Sequence, residues 1–529
     1  MNVVGGEAGP LSRQASLQRL KRTAQFDLLV VGGGATGLGV ALDAATRGLS
    51  VVLVERDDFA QGTSSRATKL VHGGVRYLAQ GNVGLVREAL RERKAALENA
   101  PHLVRPLPFV MPAFGFKGKL WDRLFYGTGL TLYDLLAGKA GLGRTEFLNR
   151  SETLSVLPGV RADGLVGSVQ YWDGQFDDAR LAVTLARTAA AHGAVVLNHC
   201  PVRALLHSGG KVCGASLTDL ETGEVIDVRA GCVVNAAGVW VDELRRMDAD
   251  PESRMVSPSQ GIHLVVDRAF LPGDHALMVP KTDDGRVMFA VPWLGKVLLG
   301  TTDTPRESIE SEPTPLASEV DFILSEAGKY LAHAPSVTDV RSIWGGVRPL
   351  VRPPEAANTK DISREHVVVE DVSGLVTVTG GKWTTYRAMA EDVLAHCVEA
   401  GLLESGESSR TIDLRLIGAP DTVSHKISDP PGAHLYGTEA VLLDQLPGHQ
   451  HELGMGLTEA MVRFAVRYEA ARTVEDVLAR RSRILFLDAE MAAALAEQVA
   501  AIIAEEIGRG PEDVTRFRAL ARRYRTIPG

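Results

Sequence analysis

The chain has 529 residues, enough for several domains, and its composition of 45% hydrophobic and 23% charged residues is that of a globular protein. This composition excludes intrinsic disorder. Its 54 glycines show no Gly-X-Y period, so they indicate turns and cofactor loops rather than a fibre. The formal net charge of −8 excludes the global basic field typical of nucleic-acid binding, and no nucleic-acid partner is expected.

The four cysteines lie far apart and form no C-x-x-C pair. We therefore expect buried thiols in a reducing compartment rather than a disulfide framework or a zinc site. The amino-terminal residues lack the apolar core of a secretory signal, and no uncharged run reaches the ~20 apolar residues that span a bilayer. No EF-hand loop is present, and no metal site is predicted.

A strand, a glycine-rich turn and a helix form the first recognisable unit of the chain. Residues 26–31 read FDLLVV, a short apolar run typical of a buried parallel strand. A G-x-G-x-x-G turn follows, with Ala35 and Thr36 between its last two glycines, and a predicted helix then continues to about Arg47. Residues 51–54, VVLV, complete a βαβ unit.

The glycine turn and the acidic residue after the second strand predict a dinucleotide site. Gly32 permits the tight turn, Gly34 lets the backbone approach a pyrophosphate, and Gly37 lets helix and strand pack closely. The helix N-terminus then offers amide donors to the phosphates. Glu55 can accept the ribose hydroxyl protons and would repel a 2′-phosphate, so the cofactor is FAD or NAD.

Further glycine-rich segments favour FAD. Residues 66–77 read RATKLVHGGVRY, and two later strands end in small residues, at 236–238 and 380–381. A long cofactor that crosses several strand ends needs several close backbone approaches. The helix that opens near 382–385 would point its N-terminus at the flavin pyrimidine ring and stabilise negative charge on reduced flavin.

The remaining pattern combines strands with helices and ends in a helical region. The expected elements are a helix at 81–100, a helix at 177–193, strands and hairpins over 194–234, antiparallel strands over 261–303, a strand at 375–379, a helix at about 384–396, loops over 401–435, and helices over most of 436–529, with starts near Thr473 and at 489.

Four separated segments, VVGGGATGLGVALDAATRGLSVVLVE, TSSRATKLVHGGVRYL, IWGGVRPL and TVTGGKWTTYR, resemble the FAD-dependent glycerol-3-phosphate dehydrogenases. The carboxy-terminal stretch TVEDVLARRSRILFLD resembles the helical domain of the same family. The resemblance implies an α/β fold (α+β overall) with a Rossmann-like FAD-binding domain, an antiparallel-sheet substrate domain and a helical C-terminal domain. It also implies oxidation of sn-glycerol 3-phosphate to dihydroxyacetone phosphate, with electrons passed to membrane quinone.

The resemblance also implies domain bounds and cofactor contacts. The oxidoreductase core would span 22–400, with FAD-binding segments at about 22–110, 165–260 and 340–400, substrate-domain segments at about 111–164 and 261–339, and a C-terminal helical domain at 401–529. Besides the glycine turn and Glu55, the implied FAD contacts are Thr63, Ser64, Ser65, Lys69, Leu70, His72, Gly73, Gly74, Val202, Ala236, Ala237, Gly238, Gly381, Lys382 and Thr384.

A secondary alcohol that bears a phosphate needs an anion anchor and a base. Arginine binds phosphate through two charge-assisted hydrogen bonds, and the candidates within the motifs are Arg348, Arg364 and Arg76. His263 is the first candidate base, because histidine titrates near neutral pH and the family places a histidine at this point. The alternatives are structural salt bridges for the arginines and a packed strand residue for His263.

Two more candidates complete the predicted substrate site. Lys382 would orient the substrate and stabilise reduced flavin, and Tyr77 would hydrogen-bond the substrate unless it serves the core. The sequence departs from several family members in one place: residues 259–262 read SQGI where those members have Lys-Gly-Ser before the histidine. The geometry of this loop is therefore not implied by the resemblance.

Residues 115–144 favour contact with a membrane surface. They carry five basic residues against two acidic ones, interleaved with aromatic and leucine side chains. This mixture predicts a helix at the bilayer interface, with a domain-packing helix as the alternative. The expected location is cytoplasmic, at the inner face of the cell membrane.

Several assignments stay open on sequence alone. The same motifs suit an oxidase that passes electrons from the same substrate to oxygen, and the broad fold suits an amine oxidase or a related flavin dehydrogenase. A flavin-fold binding protein without turnover is a further alternative. The C-terminal helices either cap the core or join two copies in a homodimer.

Overall fold

Two large sheets and a group of carboxy-terminal helices form the described part of the computed structural model, residues 9–74, 82–115, 130, 133–134, 136–248, 254–352, 366–508 and 513–528. The strands are β1 Phe26–Val31, β2 Val51–Val54, β3 Leu70–Val71, β4 Val104–Phe114, β5 Glu146–Asn149, β6 Leu165–Phe176, β7 Val195–Leu197, β8 Val202–Ser208, β9 Lys211–Thr218, β10 Val225–Asn235, β11 Val256–Asp267, β12 Ala276–Val279, β13 Met288–Trp293, β14 Lys296–Gly300, β15 Thr304–Pro305, β16 Ser342–Val351, β17 His366–Glu370, β18 Leu375–Gly380, β19 Glu452–Gly454 and β20 Leu457–Thr458. The α-helices are Arg13–Arg22, Ala35–Thr46, Val83–Asn99, Arg150–Val156, Asp178–Ala191, Val241–Asp248, Ala317–Tyr330, Tyr386–Glu399, Ala440–Leu443, Glu459–Tyr468, Ile484–Leu487, Ala489–Ile507 and Val514–Arg525.

The first sheet is the predicted Rossmann-like sheet. Its order is β17-β18-β10-β1-β2-β7, and the strands from β18 to β7 run parallel. Apolar β-branched residues make β1 and β2 fit the sheet interior, where neighbouring helices cover the faces. The carboxyl ends of β1, β10 and β18 therefore meet at one edge, and each is followed by small residues.

The second sheet carries the predicted substrate residues. Its order is β15-β11-β14-β13-β12-β4-β6-β3, and β16 pairs with β11 along its other edge. In the antiparallel ladder of β11 and β16, Ser259 faces Arg348 and His263 faces Trp344. This register places a candidate base and a candidate phosphate ligand on neighbouring strands. The α/β fold is confirmed, and the second sheet is antiparallel except where β12 pairs with β4 in parallel.

Strand β4 is an element that the sequence pattern did not indicate. Its residues include Pro106, Pro108 and Pro112, and it nevertheless pairs with β6 over its length. Successive residues of a strand point their N–H groups to opposite edges, and the three prolines share one parity. Their missing donors therefore fall on the edge away from β6, where β4 meets β12 only at Phe109 and Val110.

The carboxy-terminal region is helical, as predicted, and it packs behind the second sheet. Its side chains, including Leu478 and Phe486, share one apolar core with Trp293 and Trp344 of the sheet. Thr473 caps the start of a π-helix, Asp476–Arg481, because its hydroxyl accepts the Asp476 N–H at 3.1 Å. The proposed division of the chain at about residue 400 stays a prediction.

The expected thiols and membrane topology can be compared with the described residues. The four cysteines are free, and all but the half-buried Cys213 are buried. Among the described helices, none combines the length and apolarity that a bilayer span requires. The segment predicted to contact a membrane, 115–144, lies mostly outside the described residues, and its described members Leu130 and Tyr133 are buried.

A buried ion cluster joins the carboxy-terminal region to the first sheet's helices. Lys69, Asp178 and Arg483 have fully buried side chains. Asp178 accepts a hydrogen bond from Lys69 Nζ at 2.7 Å and from Arg483 Nη2 at 3.1 Å. Burial lowers the pKa of Lys69, and the adjacent Asp178 carboxylate opposes that shift. Asp178 thus contacts both cations, and the buried Asp177 carboxylate lies 3.7 Å from Arg483 Nε, so two carboxylates compensate two cations that have no access to water.

We predict that Asp178→Asn destabilises the fold by about 3–5 kcal/mol, because it leaves the buried Lys69 ammonium without its paired carboxylate and Arg483 with Asp177 alone. The measurement is the free energy of unfolding from denaturant titration. Glu98→Gln is the matched control, since Glu98 pairs with Lys94 at the surface and such pairs contribute ~0–1 kcal/mol. Equal midpoints for the two variants would contradict the compensating role of Asp178.

Candidate functional site

A cavity of about 1130 Å³ opens between the two sheets. Ligand pockets usually enclose ~300–1000 Å³, so the volume suits a large ligand or a cofactor together with a substrate. The glycine turn and Glu55 line one end, while His263 and Arg348 line the other.

The glycine turn forms a close-packed cradle at the carboxyl end of β1. Gly32 has a φ of +116°, and a Cβ there would lie 2.5 Å from the Ala236 carbonyl oxygen. A Cβ at Gly37 would lie 2.0 Å from the Gly32 carbonyl oxygen. The helix Ala35–Thr46 follows Gly34, which offers no capping side chain. The Ala35 N–H donates to Ser64 Oγ at 3.0 Å, and the next N–H groups of the first turn can bind an anion in the cavity.

Glu55 stands beside this cradle with both carboxylate oxygens already oriented. Oε2 accepts the Gly33 N–H at 2.7 Å, and Oε1 accepts the Asp57 N–H at 2.9 Å. Burial raises the pKa of Glu55, and the two backbone N–H groups oppose that rise. Each oxygen keeps a second lone pair that can accept a ribose hydroxyl proton.

The cavity walls fit an extended dinucleotide such as FAD. The residues that follow β10 and β18, including Ala237, Gly238 and Gly381, line the same cavity as the glycine turn. The edge of the first sheet therefore presents three close backbone approaches along one groove. Trp240 lines the groove near Glu55, and the Arg56 guanidinium lies 4.9 Å from its ring centroid.

His263 lies in the wall of the other end. Its side chain stacks on Trp344, with ring centroids 4.4 Å apart, and the residue is only 2% exposed. Its Nε2 lies 3.0 Å from Thr68 Oγ1. The pKa of His263 lies well below its ordinary value, first because of burial and then because of the charges of Lys69 and Arg348. The imidazole is therefore neutral at pH 7 and can accept a proton.

Arg348 extends from β16 into the cavity with part of its fork in contact with the wall. Its Nη1 donates to the Thr302 carbonyl at 3.1 Å and pairs with Asp303 at 3.2 Å. A Cβ at Gly261 would lie 2.5 Å from Arg348 Nη2, so the glycine in this loop leaves room for the guanidinium. The Arg348 side chain is 28% exposed, which leaves it accessible to an anion in the cavity.

The structure brings most of the predicted site residues to one cavity. Its lining includes Gly32, Gly34, Ala35, Thr36, Glu55, Thr63, Ser64, Leu70, His72, Gly74, Val202, Ala236, Ala237, Gly238, His263, Arg348, Gly381, Lys382 and Thr384. Three predicted residues, Arg76, Tyr77 and Arg364, lie outside the described residues. Their roles stay predictions.

Four predicted cofactor contacts do not line the cavity. Gly37 packs against Gly32, and the Gly73 N–H donates to Asp173 Oδ1 at 3.1 Å. The Ser65 carbonyl accepts the Lys69 ammonium at 2.7 Å, and the Lys69 side chain turns inward to Asp178. These four residues lie behind the cavity wall and contact the residues that support it.

The sequence did not predict two polar residues at the end of the cavity that His263 and Arg348 line. Thr68 contacts His263, and Asp303 pairs with Arg348. Thr68 lies inside a motif that was singled out for its glycines and basic residues, so its position was a usable signal. Asp303 has no local signal, because its contact with Arg348 depends on the pairing of strands that are distant in sequence.

Comparisons with known proteins agree with this geometry. Residues 27–392 match the family model described as FAD dependent oxidoreductase, and residues 432–514 match the C-terminal domain of alpha-glycerophosphate oxidase. The chain is 41% identical to the mitochondrial glycerol-3-phosphate dehydrogenase of Bos taurus over 94% of this chain and 72% of that protein. It is likewise 41% identical to glycerol-3-phosphate dehydrogenase SDP6 of Arabidopsis thaliana over 91% of this chain and 83% of that protein.

A solved structure is similar over nearly the whole chain. It is the glycerol-3-phosphate dehydrogenase of Bacillus halodurans complexed with FAD, with a TM-score of 0.78, 29% identity, and coverage of 98% of this chain and 99% of that chain. The chain and this relative therefore share one architecture, including the carboxy-terminal helices.

We predict that Gly37→Ala weakens FAD binding at least ~10-fold, because the added Cβ overlaps the Gly32 carbonyl and the overlap costs about 1–3 kcal/mol. The measurement is the flavin content of the purified protein and its dissociation constant for added FAD. Gly84→Ala is the control, since a Cβ there makes only an ordinary contact at 3.7 Å. Full flavin occupancy of Gly37→Ala would contradict the packing role.

Proposed function

The chain belongs to the FAD-dependent glycerol-3-phosphate dehydrogenases, and from this premise we propose how its residues oxidise sn-glycerol 3-phosphate and where the electrons go. The observation that carries the proposal is the common cavity, in which a dinucleotide cradle, a neutral histidine and an accessible arginine face one space. When bound, FAD supplies the acceptor for the hydride that leaves the substrate carbon.

The phosphate of the substrate would bind at Arg348. A guanidinium presents a fixed fork of donors that suits a phosphate dianion, and Asp303 contacts this fork through one carboxylate oxygen. Arg76 and Arg364 are proposed as further phosphate ligands from the sequence motifs. An anion held here also offsets the positive charges that depress the pKa of His263, so substrate binding strengthens the base.

The remaining predicted residues would orient the two reactants. Lys382 lies in the wall beside Gly381, where its ammonium can orient the substrate hydroxyl and stabilise negative charge on reduced flavin. His72 lines the same cavity and would position the flavin ring. Tyr77 is proposed as a hydrogen-bond donor to the substrate.

Anaerobic mixing tests the proposed reaction. The FAD-loaded protein is mixed with sn-glycerol 3-phosphate, glycerol or lactate, and the visible flavin band is followed. Bleaching by the phosphate ester alone supports oxidation of an alcohol that is anchored by its phosphate. Bleaching by glycerol at similar concentration would overturn the role of the phosphate anchor, and a band unchanged by all three would overturn the substrate.

We predict that His263→Gln slows flavin reduction roughly 10²–10⁴-fold, because the substrate hydroxyl then loses its proton acceptor. In the parent enzyme, the rate should be constant near neutral pH and fall only below the ordinary histidine pKa of 6.5, as the imidazole becomes protonated. Stopped-flow measurement across pH checks both points. The exposed His333→Gln is the control, and an acid limb that persists unchanged in His263→Gln would assign that limb to another group.

The electron acceptor is proposed to be quinone in a membrane surface. Strand β4 ends at Phe114, opposite Leu165, immediately before the amphipathic stretch predicted to contact lipid. At the same end of the sheet, Phe147 is 52% exposed and Val166 is 43% exposed. Apolar side chains exposed at the end of the sheet from which this stretch departs would add to an interfacial contact. This supports peripheral binding at the inner face of the cell membrane.

One observation favours the oxidase alternative: residues 432–514 match a domain named for alpha-glycerophosphate oxidase. Oxygen and a quinone analogue are therefore added separately to the substrate-reduced enzyme. Faster reoxidation by the quinone supports the dehydrogenase, and rapid reoxidation by oxygen with release of peroxide supports the oxidase.

Sedimentation of the enzyme would test the proposed homodimer.

We predict that Trp121→Ala combined with Phe125→Ala lowers binding to anionic liposomes at least ~10-fold, because two large apolar contacts with lipid are lost. Co-sedimentation with the vesicles measures the change. Leu220→Ala is the control, since this side chain is 55% exposed in the turn between β9 and β10. Undiminished binding of the double variant would assign the membrane contact to another surface.

A further inference from the structure

The two nitrogens of His263 have very different surroundings. Nδ1 is buried without a hydrogen-bond partner among the described residues. Nε2 lies 3.0 Å from Thr68 Oγ1, and Thr68 lines the cavity. A substrate in the cavity can therefore reach only Nε2, and the Thr68 hydroxyl already occupies that approach.

The imidazole cannot turn to change this arrangement. It stacks on Trp344 at an interplanar angle of 25°, and its strand is paired on both edges, with β14 and β16. A Cβ at Gly300 would lie 2.5 Å from His263 Cδ2, which shows how closely the neighbouring strand borders the ring. The ring plane and the direction of Nε2 are thus fixed by packing.

Thr68 is fixed from the other side by the buried ion cluster. The Ala67 N–H donates to Asp178 Oδ2 at 3.2 Å, and the Lys69 ammonium donates to the same carboxylate at 2.7 Å. The Ser65 carbonyl accepts hydrogen bonds from Lys69 and, at 2.8 Å, from Arg483 Nη2. Both neighbours of Thr68 in sequence are therefore held, and the backbone of Thr68 is placed so that its hydroxyl lies 3.0 Å from His263 Nε2.

We propose that Thr68 is a catalytic residue that passes the substrate's proton to His263, an inference that rests on the proposed oxidation of a secondary alcohol. The substrate O–H bond breaks and its proton forms a new O–H bond on Thr68. The original Thr68 proton forms an N–H bond on His263 Nε2, so Thr68 ends neutral and the histidine ends as imidazolium. The substrate gains a C=O bond as its C–H hydride leaves to FAD.

The test compares Thr68→Val, which keeps the shape without the hydroxyl, with Thr68→Ser, which keeps the hydroxyl. Flavin reduction by saturating sn-glycerol 3-phosphate is measured under anaerobic conditions. We expect Thr68→Val to lower the limiting rate roughly 10²-fold with the half-saturating substrate concentration changed less than ~3-fold, and Thr68→Ser to restore most of the rate. Thr46→Val is the control, because its buried hydroxyl donates to the Asp43 carbonyl far from the cavity.

A double variant separates a relay from two independent effects. If Thr68 and His263 act in one proton path, Thr68→Val added to His263→Gln costs little more than His263→Gln alone. Multiplied losses would overturn the relay, as would a Thr68→Val enzyme that is reduced at the parent rate. Equal losses in the Val and Ser variants would assign Thr68 to packing only and would also overturn it.

A readout without turnover uses the side-chain spectrum of ¹⁵N-histidine in the FAD-loaded protein, with His263 assigned by His263→Gln. Thr68→Val should shift the His263 Nε2 resonance, and Thr68→Ser should leave it near its parent position. An Nε2 resonance at the parent position in both variants would overturn the contact. A parent enzyme that sn-glycerol 3-phosphate does not reduce would instead overturn the proposed function.

Discussion

Asp178 compensates two buried cations that come from distant parts of the chain, and the geometry of the reaction site depends on this compensation. Lys69 belongs to the loop after the first βαβ unit, whereas Arg483 belongs to the carboxy-terminal helical region. Neither charge has access to water, so each is tolerated only beside a carboxylate, and Asp178 contacts both while Asp177 adds a second contact to Arg483. The loop that carries Lys69 also carries Thr68, and the same three side chains therefore hold the backbone on both sides of the residue whose hydroxyl meets His263.

The electrostatics of the cavity follow from the same arrangement. Burial and the charges of Lys69 and Arg348 keep His263 neutral, which is the form that can accept a proton. The end of the cavity lined by His263 and Arg348 thus holds an imidazole that can accept a proton and a guanidinium that attracts anions. The whole chain nevertheless carries a net charge of −8. Under the proposed binding of the substrate phosphate at Arg348, the dianion would find its counter-charge in the cavity wall and would move the pKa of His263 upward, toward the value that a base needs.

The features that the sequence predicted are those with local causes. The turn Gly32–Gly37, the acidic Glu55 and the buried strands next to them depend on neighbours within ~30 residues, and periodicity together with glycine placement was sufficient to find them. The sequence pattern did not predict strand β4, because proline usually interrupts strands. Only the pairing with β6 shows that the missing N–H donors fall on one edge. The contact of Thr68 with His263 joins residues 195 positions apart, so no window of sequence could show it. Lys69 was assigned to the cofactor because it lies in a cofactor motif, yet its side chain points the other way, which alternation along a short strand does not reveal.

This arrangement also bears on the two roles left open for the carboxy-terminal helices. A region that merely covered the core would need apolar contacts only, and Phe486 and Leu478 supply these against Trp344 and Trp293. Arg483 adds something different, because its guanidinium reaches the carbonyl of Ser65 and the carboxylate of Asp178, both of which hold the loop at His263. Its backbone adopts a φ of +66°, an uncommon conformation for a residue with a side chain, and a buried arginine in that conformation is expected only where its contacts stabilise it. Arg483 does not line the cavity. The helical region therefore stabilises the reaction site indirectly, through the loop that carries Thr68.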